Sequence, residues 1–72
     1  MRYLVIIEKG PNNFSAYVPD LPGCTSAGDS FDETLEAIRE AIEGHLDVMR
    51  EFGEPIPEPT SQPAFIDAPL AP

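Results

Sequence analysis

The chain has 72 residues, of which 13 are acidic and 4 are basic, so its formal net charge is −9. A chain of this size forms one domain with a modest core, because a domain near 60 residues buries only about 60% of the surface that its unfolded form exposes, and self-association is a natural supplement. The charge disfavours binding to nucleic acid or to an anionic membrane and favours a basic partner, although the same charge also serves solubility.

The cysteine count and the apolar runs bear on the compartment. Cys24 is the only cysteine, which excludes an internal disulfide and a metal site built from paired cysteines. The apolar run near the N-terminus covers residues 3–7 and is shorter than that of a signal peptide. No run approaches the roughly 20 residues of a membrane span. We therefore expect a cytoplasmic protein that works in a reducing compartment and does not bind a membrane.

Two segments at the start of the chain predict a β-hairpin. Residues 3–9 are rich in β-branched and aromatic side chains, as in a strand that is buried on both faces over its middle. Residues 10–13 read GPNN, which is typical of a turn. Residues 14–18 then alternate, which sends every second side chain to the same face of a strand. The two runs are expected to pair.

A rigid corner and a third strand follow the hairpin. Pro19 and Pro22 fix the backbone φ angle and have no amide to donate, so residues 19–23 must leave the regular pairing. Gly23 permits a positive φ at this corner. Residues 24–28 have small side chains, which suits a third strand lying close beneath a helix.

The next segment predicts one long helix. Ser30 and Glu33 fit a capping box, in which the serine hydroxyl accepts from the Glu33 amide while the Glu33 carboxylate reaches back. Gly53 suits the position after the C-cap, so the helix is expected over residues 31–52. Steps of three and four residues place one apolar stripe along it, made by Phe31, Leu35, Ile38, Ile42, Leu46, Met49 and Phe52.

The remaining residues predict a connector and a final strand. Six of the nine prolines follow the helix, so residues 54–63 are expected to be an extended, proline-rich connector. Residues 64–68 are the only later segment able to form a strand, and the flanking prolines favour an edge position. The expected fold is α+β with the order βββαβ: an antiparallel sheet of three to four strands with one long helix on one face. Residues 1–68 form the single domain, and residues 69–72 form a tail.

Several motifs occur together in one order. Residues 14–30 read FSAYVPDLPGCTSAGDS, and residues 53–59 read GEPIPEP at the end of the predicted helix. In these motifs the chain resembles the N-terminal domain of the HicB family of antitoxins. The resemblance implies a trimmed ribonuclease H-like fold that self-associates, as a homodimer or homotetramer, and that binds and occludes a small basic RNA-cleaving toxin of the HicA type.

The resemblance carries two further expectations. The protein is not an enzyme, because in the family the toxin carries the catalytic histidine. Many HicB proteins also have a ribbon-helix-helix or helix-turn-helix module after this domain. No basic segment for such a module is present here, so we expect this chain to lack the DNA-binding module and to make no direct contact with DNA.

The acidic side chains of the helix form the first candidate contact surface. Steps of three and four residues make a second stripe from Glu33, Glu36, Glu40, Glu43 and Asp47. Like charges at this spacing each destabilise an isolated helix by about 0.2 to 0.5 kcal/mol, and only Arg39 and Arg50 offset them. This cost favours the docking of a basic surface. A solvated helix face is the alternative interpretation.

The predicted partner-binding residues lie in two regions. The corner contributes Tyr17, Asp20, Leu21 and Pro22. The exposed helix edge contributes Glu36, Glu40, Glu43 and Asp47. Affinity is expected to come from buried apolar anchors, while charge sets the encounter rate and the choice of partner.

Catalytic and metal sites are disfavoured. Cys24 is expected to be a packed thiol, and His45 a structural or surface residue, since the sequence supplies neither with the converging groups of nucleophilic catalysis. A two-metal nuclease centre built from Glu8, Asp20 and Asp29 is disfavoured, because the aspartates have local roles in a turn and a helix cap. No metal or cofactor is expected. The alternative function is an orphan oligomeric scaffold or small-ligand-binding protein of the same fold without a toxin.

Overall fold

The computed structural model describes residues 1–70, within which three strands form one antiparallel sheet in the order β1-β2-β3. Strand β1 spans Ile6–Lys9, β2 spans Phe14–Tyr17, and β3 spans Thr25–Gly28. The helix α1 spans Phe31–Glu51 and packs on one face of the sheet. The α+β class, the antiparallel sheet and the long helix expected from the sequence are confirmed. No helix in these 70 residues is long and apolar enough to cross a membrane.

Strand β1 begins at Ile6, three residues later than the sequence predicts. In the observed register Ile6 lies opposite Tyr17, so the two residues before it would need Val18 and Pro19 as partners. Val18 instead donates its amide to the carbonyl of Cys24 over 3.2 Å, and Pro19 has no amide. The corner after β2 therefore ends the pairing of β1.

The register sorts the side chains of the sheet onto two faces. Ile7, Ala16 and Ser26 form one row across the three strands, and Ala16 is buried, so this row faces the helix. Because alternate residues of a strand point to opposite sides, Ile6 and Tyr17 lie on the open face. The buried core consists of Ala16, Val18, Leu21, Cys24 and Ile38, and the partly buried Tyr3, Val5, Ile7, Ala41, Ile42 and Leu46 pack against it.

The corner between β2 and β3 folds inward. The amide of Leu21 donates to the carbonyl of Val18 over 3.1 Å, and the amide of Cys24 donates to the carbonyl of Leu21 over 3.0 Å. Gly23 takes a φ of 84°, which a residue without a side chain adopts without strain. These turns direct the Leu21 side chain into the core, where it is fully buried. The corner thus closes one end of the core.

The start of α1 is fixed by side-chain caps and by a close approach to β3. Ser30 Oγ accepts from the Glu33 amide over 3.1 Å, as the capping box predicts. The Glu33 carboxylate accepts from the amide of Asp29 over 3.2 Å, one residue before the cap. A Cβ atom at Gly28 would lie 2.7 Å from Thr34 Oγ1 and 2.9 Å from the Thr34 amide nitrogen. Any side chain at position 28 would therefore push β3 away from the helix.

The end of α1 is a Schellman motif. The helix ends at Glu51, one residue before the predicted end, with Phe52 as its C-cap. Gly53 follows with a φ of 68° and donates its amide to the carbonyl of Arg50 over 3.1 Å. The next amide, of Glu54, donates to the carbonyl of Met49 over 2.8 Å. These two bonds satisfy carbonyls that the helix leaves without partners.

The helix is much longer than the sheet beneath it. Its 21 residues span about 31 Å at 1.5 Å per residue. Each strand has four residues and spans about 13 Å at roughly 3.3 Å per residue. The strands therefore support less than half of α1, and Val48 and Phe52 near its end are exposed.

The expected strand at residues 64–68 does not form. These residues have no regular secondary structure, and Phe65 and Ile66 are 96% and 91% exposed. Residues 61–65 run beside residues 2–7 without a backbone hydrogen bond to them in the described chain. Pro63 has no amide to begin a ladder, which explains the correction. Of the predicted tail, residues 71–72 lie outside the described residues.

Candidate partner-binding site

An apolar groove lies between α1 and Val5, the residue directly before β1. Val5, Leu35, Ile38 and Ile42 line a cleft of about 340 Å³ at this place, and Glu36 and Arg39 form its rim. Leu35 is 46% exposed, whereas Ile38 one turn away is buried. We call this cleft the β1–α1 groove. It is open because the helix approaches most closely at β3, on the far side of the sheet.

Charged side chains at the rim of the groove are held in one cluster. Arg39 donates from its Nη1 to Glu43 Oε1 over 2.8 Å and from its Nε to Glu36 Oε2 over 3.1 Å. The hydrogen bond from Arg39 lowers the pKa of the Glu36 carboxyl below its usual value. All three side chains are more than half exposed, so solvent screens the ion pairs and they add little to stability. Their main effect is to hold two carboxylates in place beside the groove.

The other predicted acids of the helix also lie at the surface. Asp47 pairs with Arg50 over 3.2 Å, and both are more than half exposed. Glu40 is exposed and makes no ion pair within residues 1–70. All four acids of the predicted helix edge are thus accessible. The acidic stripe has five carboxylates, and only the guanidinium groups of Arg39 and Arg50 offset their charge. The helix presents a net negative face.

The predicted corner residues do not share one surface. Tyr17 is 42% exposed on the open face of the sheet, and Pro22 is exposed at the turn. Leu21 is 0% exposed, because the corner turns it into the core, so it is a core residue and not a contact residue. The expectation that Leu21 meets a partner is therefore revised. Asp20 has a different role.

Asp20 ties the connector to the corner. Its Oδ2 accepts from the amides of Thr60 and Ser61 over 3.0 and 2.9 Å. Its Oδ1 accepts from the hydroxyls of the same two residues over 3.2 and 2.9 Å. The hydrogen bond from the Ser61 amide contributes most to lowering the pKa of this carboxyl below its ordinary value of 3.8. We call this set of four hydrogen bonds the Asp20 latch.

A second tie lies nearby. The hydroxyl of Tyr3 donates to the carbonyl of Pro57 over 2.5 Å. Together with the Asp20 latch, it fastens the connector to residues more than 35 positions earlier in the chain. No local pattern in the sequence predicts either hydrogen-bonded contact, since the only signal is a Thr-Ser pair directly after a proline.

The single cysteine and the single histidine line a second cleft. Cys24, His45, Met49 and Glu54 border this cleft of about 360 Å³ between the corner and the second half of α1. The Cys24 thiol is buried, as predicted, and burial raises its pKa above the ordinary value of 9.0. The sulfur is therefore a neutral thiol near pH 7 and a poor nucleophile. His45 is half-buried at the border of the apolar stripe.

The carboxylates considered for a nuclease centre lie apart. Glu8 is on β1, Asp20 is held in the latch, and Asp29 precedes the helix cap. In the described part of the chain, no group of three or more His, Cys, Asp or Glu side chains is arranged to hold a metal ion. The acidic face of α1 is thus a surface of separate carboxylates.

Comparison with known proteins places these features in a family. Residues 3–70 match the family described as HicB_like antitoxin of bacterial toxin-antitoxin system. An uncharacterised 14.9 kDa protein of Haemophilus phage HP1 is 38% identical over 69 residues, which are 96% of this chain and 52% of the phage protein. A UPF0150 protein of Thermoplasma acidophilum is 33% identical over 69 residues, which are 94% of this chain and 100% of that protein.

A bacterial relative and one solved structure extend the comparison. A UPF0150 protein of Helicobacter pylori is 51% identical over 41 residues, which are 57% of each protein. This chain therefore spans about half the length of the phage protein. A chain from the HicA3 and HicB3 toxin-antitoxin complex has a TM-score of 0.73 and 33% identity, with 85% of this chain and 71% of that chain covered. On the family match over nearly its whole length, this chain belongs to the HicB-like antitoxin family of bacterial toxin-antitoxin systems.

Proposed function

We propose that this chain binds and occludes a small, basic, RNA-cleaving toxin of the HicA type. The observation that carries the proposal is the open apolar groove beside a negative helix face, in a chain that belongs to this antitoxin family. The similarity to a chain from the HicA3 and HicB3 complex supports the same class of partner.

The acidic face of α1 speeds up the encounter with a basic partner. A protein that cleaves RNA needs a positive surface for its substrate, and a net charge of −9 attracts such a surface from a distance. Opposite charges raise the association rate by 10- to 1000-fold in order of magnitude, and salt removes this gain. Because Arg39 holds Glu36 and Glu43 in place, part of this face is ordered before the partner arrives.

The β1–α1 groove supplies an apolar anchor point. Its wall residues Leu35 and Ile42 are partly exposed and lie directly beside the Glu36–Arg39 pair. Interfaces commonly combine a desolvated apolar centre with a polar rim, and the centre contributes most of the affinity. One apolar side chain of a toxin, placed in this groove, would be surrounded on one side by carboxylates that meet basic neighbours.

In this proposal the chain inhibits by covering the toxin and breaks no bond itself. The neutral Cys24 thiol and the separated carboxylates are consistent with that role. Because the toxin acts on RNA and the single thiol is free, the proposed compartment is the cytoplasm. Self-association as a homodimer or homotetramer is part of the same proposal.

The direct test is inhibition of RNA cleavage. A basic protein encoded beside this chain, or a HicA-type toxin, is incubated with RNA and increasing amounts of the purified chain. We expect cleavage to stop near a fixed stoichiometric ratio. Undiminished cleavage at a saturating ratio would reject the proposal and favour a scaffold or ligand-binding protein of the same fold.

A matched pair of charge-reversal variants tests the surface. The first carries Lys at Glu40, Glu43 and Asp47, and the second carries Lys at Glu8, Glu54 and Glu58, which are exposed elsewhere. Both change the net charge equally. We expect the helix variant to associate with the toxin at least tenfold more slowly and with a flatter salt dependence, measured by stopped flow. Equal effects of the two variants would mean that total charge matters and the helix face does not.

A further inference from the structure

The glycine at position 44 has no explanation in the packing of this chain. Gly44 lies inside α1, where glycine weakens a helix more than any residue except proline. Its backbone does not take a positive φ, so the conformational freedom of glycine is not needed here. A Cβ atom at this position would meet nothing within 4 Å. Gly44 therefore leaves space beside the helix that no part of residues 1–70 fills.

The space beside Gly44 belongs to the cleft between the corner and the second half of α1. Ala41, Val48 and Met49 give this cleft of about 360 Å³ an apolar lining along the helix. Val48 is 52% exposed, and Phe52, one turn further along, is 73% exposed. Apolar surface thus continues from the cleft over the last turns of α1, which suits a protein partner better than a small molecule. We call this cleft the Gly44 cleft.

The Gly44 cleft and the β1–α1 groove lie on opposite sides of α1. Gly44 and Leu35 are separated by about two and a half turns, at 3.6 residues per turn. Around the helix axis, Glu43 is about 100° from Gly44 and about 80° from Leu35, so it lies between them. The acidic stripe is therefore a ridge on the outer face of the helix, with one apolar depression on each side.

Carboxylates flank the mouth of the Gly44 cleft. Glu40 precedes Gly44 by one helical turn and Asp47 follows it by one turn, so both lie beside it on the helix surface. Glu40 forms no ion pair within residues 1–70, and Asp47 pairs only with the exposed Arg50. A partner that carries lysine or arginine around an apolar side chain is complementary to this arrangement. A second copy of this chain, with its net charge of −9, would meet repulsion here.

We propose that the basic partner straddles α1 and places a bulky apolar side chain in the Gly44 cleft as a second anchor. This inference rests on the proposed function, because it assigns a further surface to the same partner. The first anchor is the β1–α1 groove, and cationic side chains of the partner lie over the acidic stripe between the two depressions. The absent side chain of Gly44 makes room for the second anchor. Two anchors on opposite sides of one helix fix the orientation of the partner.

Filling the cleft from the helix side tests the second anchor. Gly44→Phe places a ring in the cleft, and Gly44→Ala is the matched control, because it adds one methyl group and leaves most of the cleft open. Asn12→Phe adds the same ring in the exposed turn between β1 and β2. We expect Gly44→Phe to raise the dissociation constant of a HicA-type toxin at least about 30-fold in calorimetric titration, and both controls to change it less than about threefold. Circular dichroism checks that the three variants are folded.

The outcomes separate this inference from the proposed function. A parent chain that neither binds nor inhibits the toxin would reject the proposed function, and the second anchor with it. If the parent chain inhibits the toxin and Gly44→Phe binds it as tightly as Gly44→Ala does, only the second anchor is overturned. Equal weakening by Asn12→Phe would also overturn it. So would a loss of self-association confined to Gly44→Phe in sedimentation equilibrium without toxin, which would assign the cleft to another copy.

Methyl NMR tests the straddling arrangement in the parent chain, without any substitution. The methyl groups of Leu35 report on the β1–α1 groove, and those of Val48 report on the Gly44 cleft. On addition of the toxin, both sets of signals should shift and reach their end points at the same molar ratio. Shifts at only one of the two residues would overturn the straddling arrangement.

Discussion

The junction of β3 with α1 and the segment after Gly53 are held by different means. At the junction, Gly28 touches the helix backbone closely, Ser30 caps the helix, and Thr34 is fully buried with its hydroxyl donating to the carbonyl of Ser30 over 2.7 Å. After Gly53, the chain is fastened by hydrogen bonds from or to Tyr3 and Asp20, and its apolar side chains remain outside. One region is therefore stabilised by burial and the other by hydrogen bonds.

We expect the largest difference between the two regions in the free energy of unfolding, when one leucine is replaced in each. Leu21→Ala removes a fully buried side chain and should lower the free energy of unfolding by about 2 to 5 kcal/mol. Leu70→Ala removes a side chain that is 94% exposed and should change it by less than about 0.5 kcal/mol. Urea denaturation at concentrations where the chain is monomeric measures both. Similar losses would show that residues 64–70 are packed in solution.

A second substitution tests the close approach at the junction. Gly28→Ala places a Cβ atom within 3 Å of Thr34 and should cost about 1 to 3 kcal/mol, because the neighbouring backbone must move. Thermal unfolding followed by circular dichroism reports the loss. A variant as stable as the parent chain would mean that the junction is looser than described.

The same change at another glycine should act in the opposite direction. Gly44 lies inside α1, and a Cβ atom there meets nothing within 4 Å. Gly44→Ala should therefore raise the free energy of unfolding by about 0.5 to 1 kcal/mol through helix propensity. Denaturation beside Gly28→Ala gives a matched comparison, and destabilisation by Gly44→Ala would indicate a contact at this position, such as a second copy.

The smallest effect on global stability is expected at the Asp20 latch. Asp20→Asn removes the charge that four hydrogen bonds stabilise, so residues 54–61 should be cleaved faster in limited proteolysis while the urea midpoint changes little. Asp29→Asn, in an exposed carboxyl that accepts none of these bonds, is the control. Equal cleavage rates for the two variants would contradict a fastening role.

Acid should open the latch in wild-type protein. The pKa of Asp20 is lowered in the folded chain, so its contribution is present above the ordinary value of 3.8 and is lost as the pH falls through the lower, folded value. A carboxyl ¹³C titration by NMR should give a midpoint below 3.8 for Asp20. A midpoint at or above that value would mean that the four hydrogen bonds are not formed in solution.

Local signals allowed much of the fold to be predicted. The capping box at Ser30 and the glycine at position 53 predicted the helix to within one residue, because caps act over four or five positions. The start of β1 was predicted three residues early, since it depends on the register with β2 and on the corner that follows. The strand expected at residues 64–68 needed a partner, and composition alone does not supply one.

The candidate site was harder to predict, because it depends on contacts between residues that are far apart in the chain. Asp20 and its partners are 40 and 41 residues apart, so no local pattern joins them. Leu21 stands between polar and proline residues in the sequence, which is typical of an exposed turn, and only the folded corner shows that it turns inward. The β1–α1 groove depends on which strand the helix leaves uncovered, and periodicity does not contain that information.

The excess length of α1 over the strands makes hydrogen exchange at the end of the helix a sensitive measure of binding. Beyond Leu46 the helix contributes no side chain to the core cluster, so its last turns open to solvent at little cost to the sheet. Deuterium uptake at these amides should therefore fall whenever another molecule covers them. Deuterium uptake in the last turns of α1 would then report the binding of another molecule, separately from unfolding of the core.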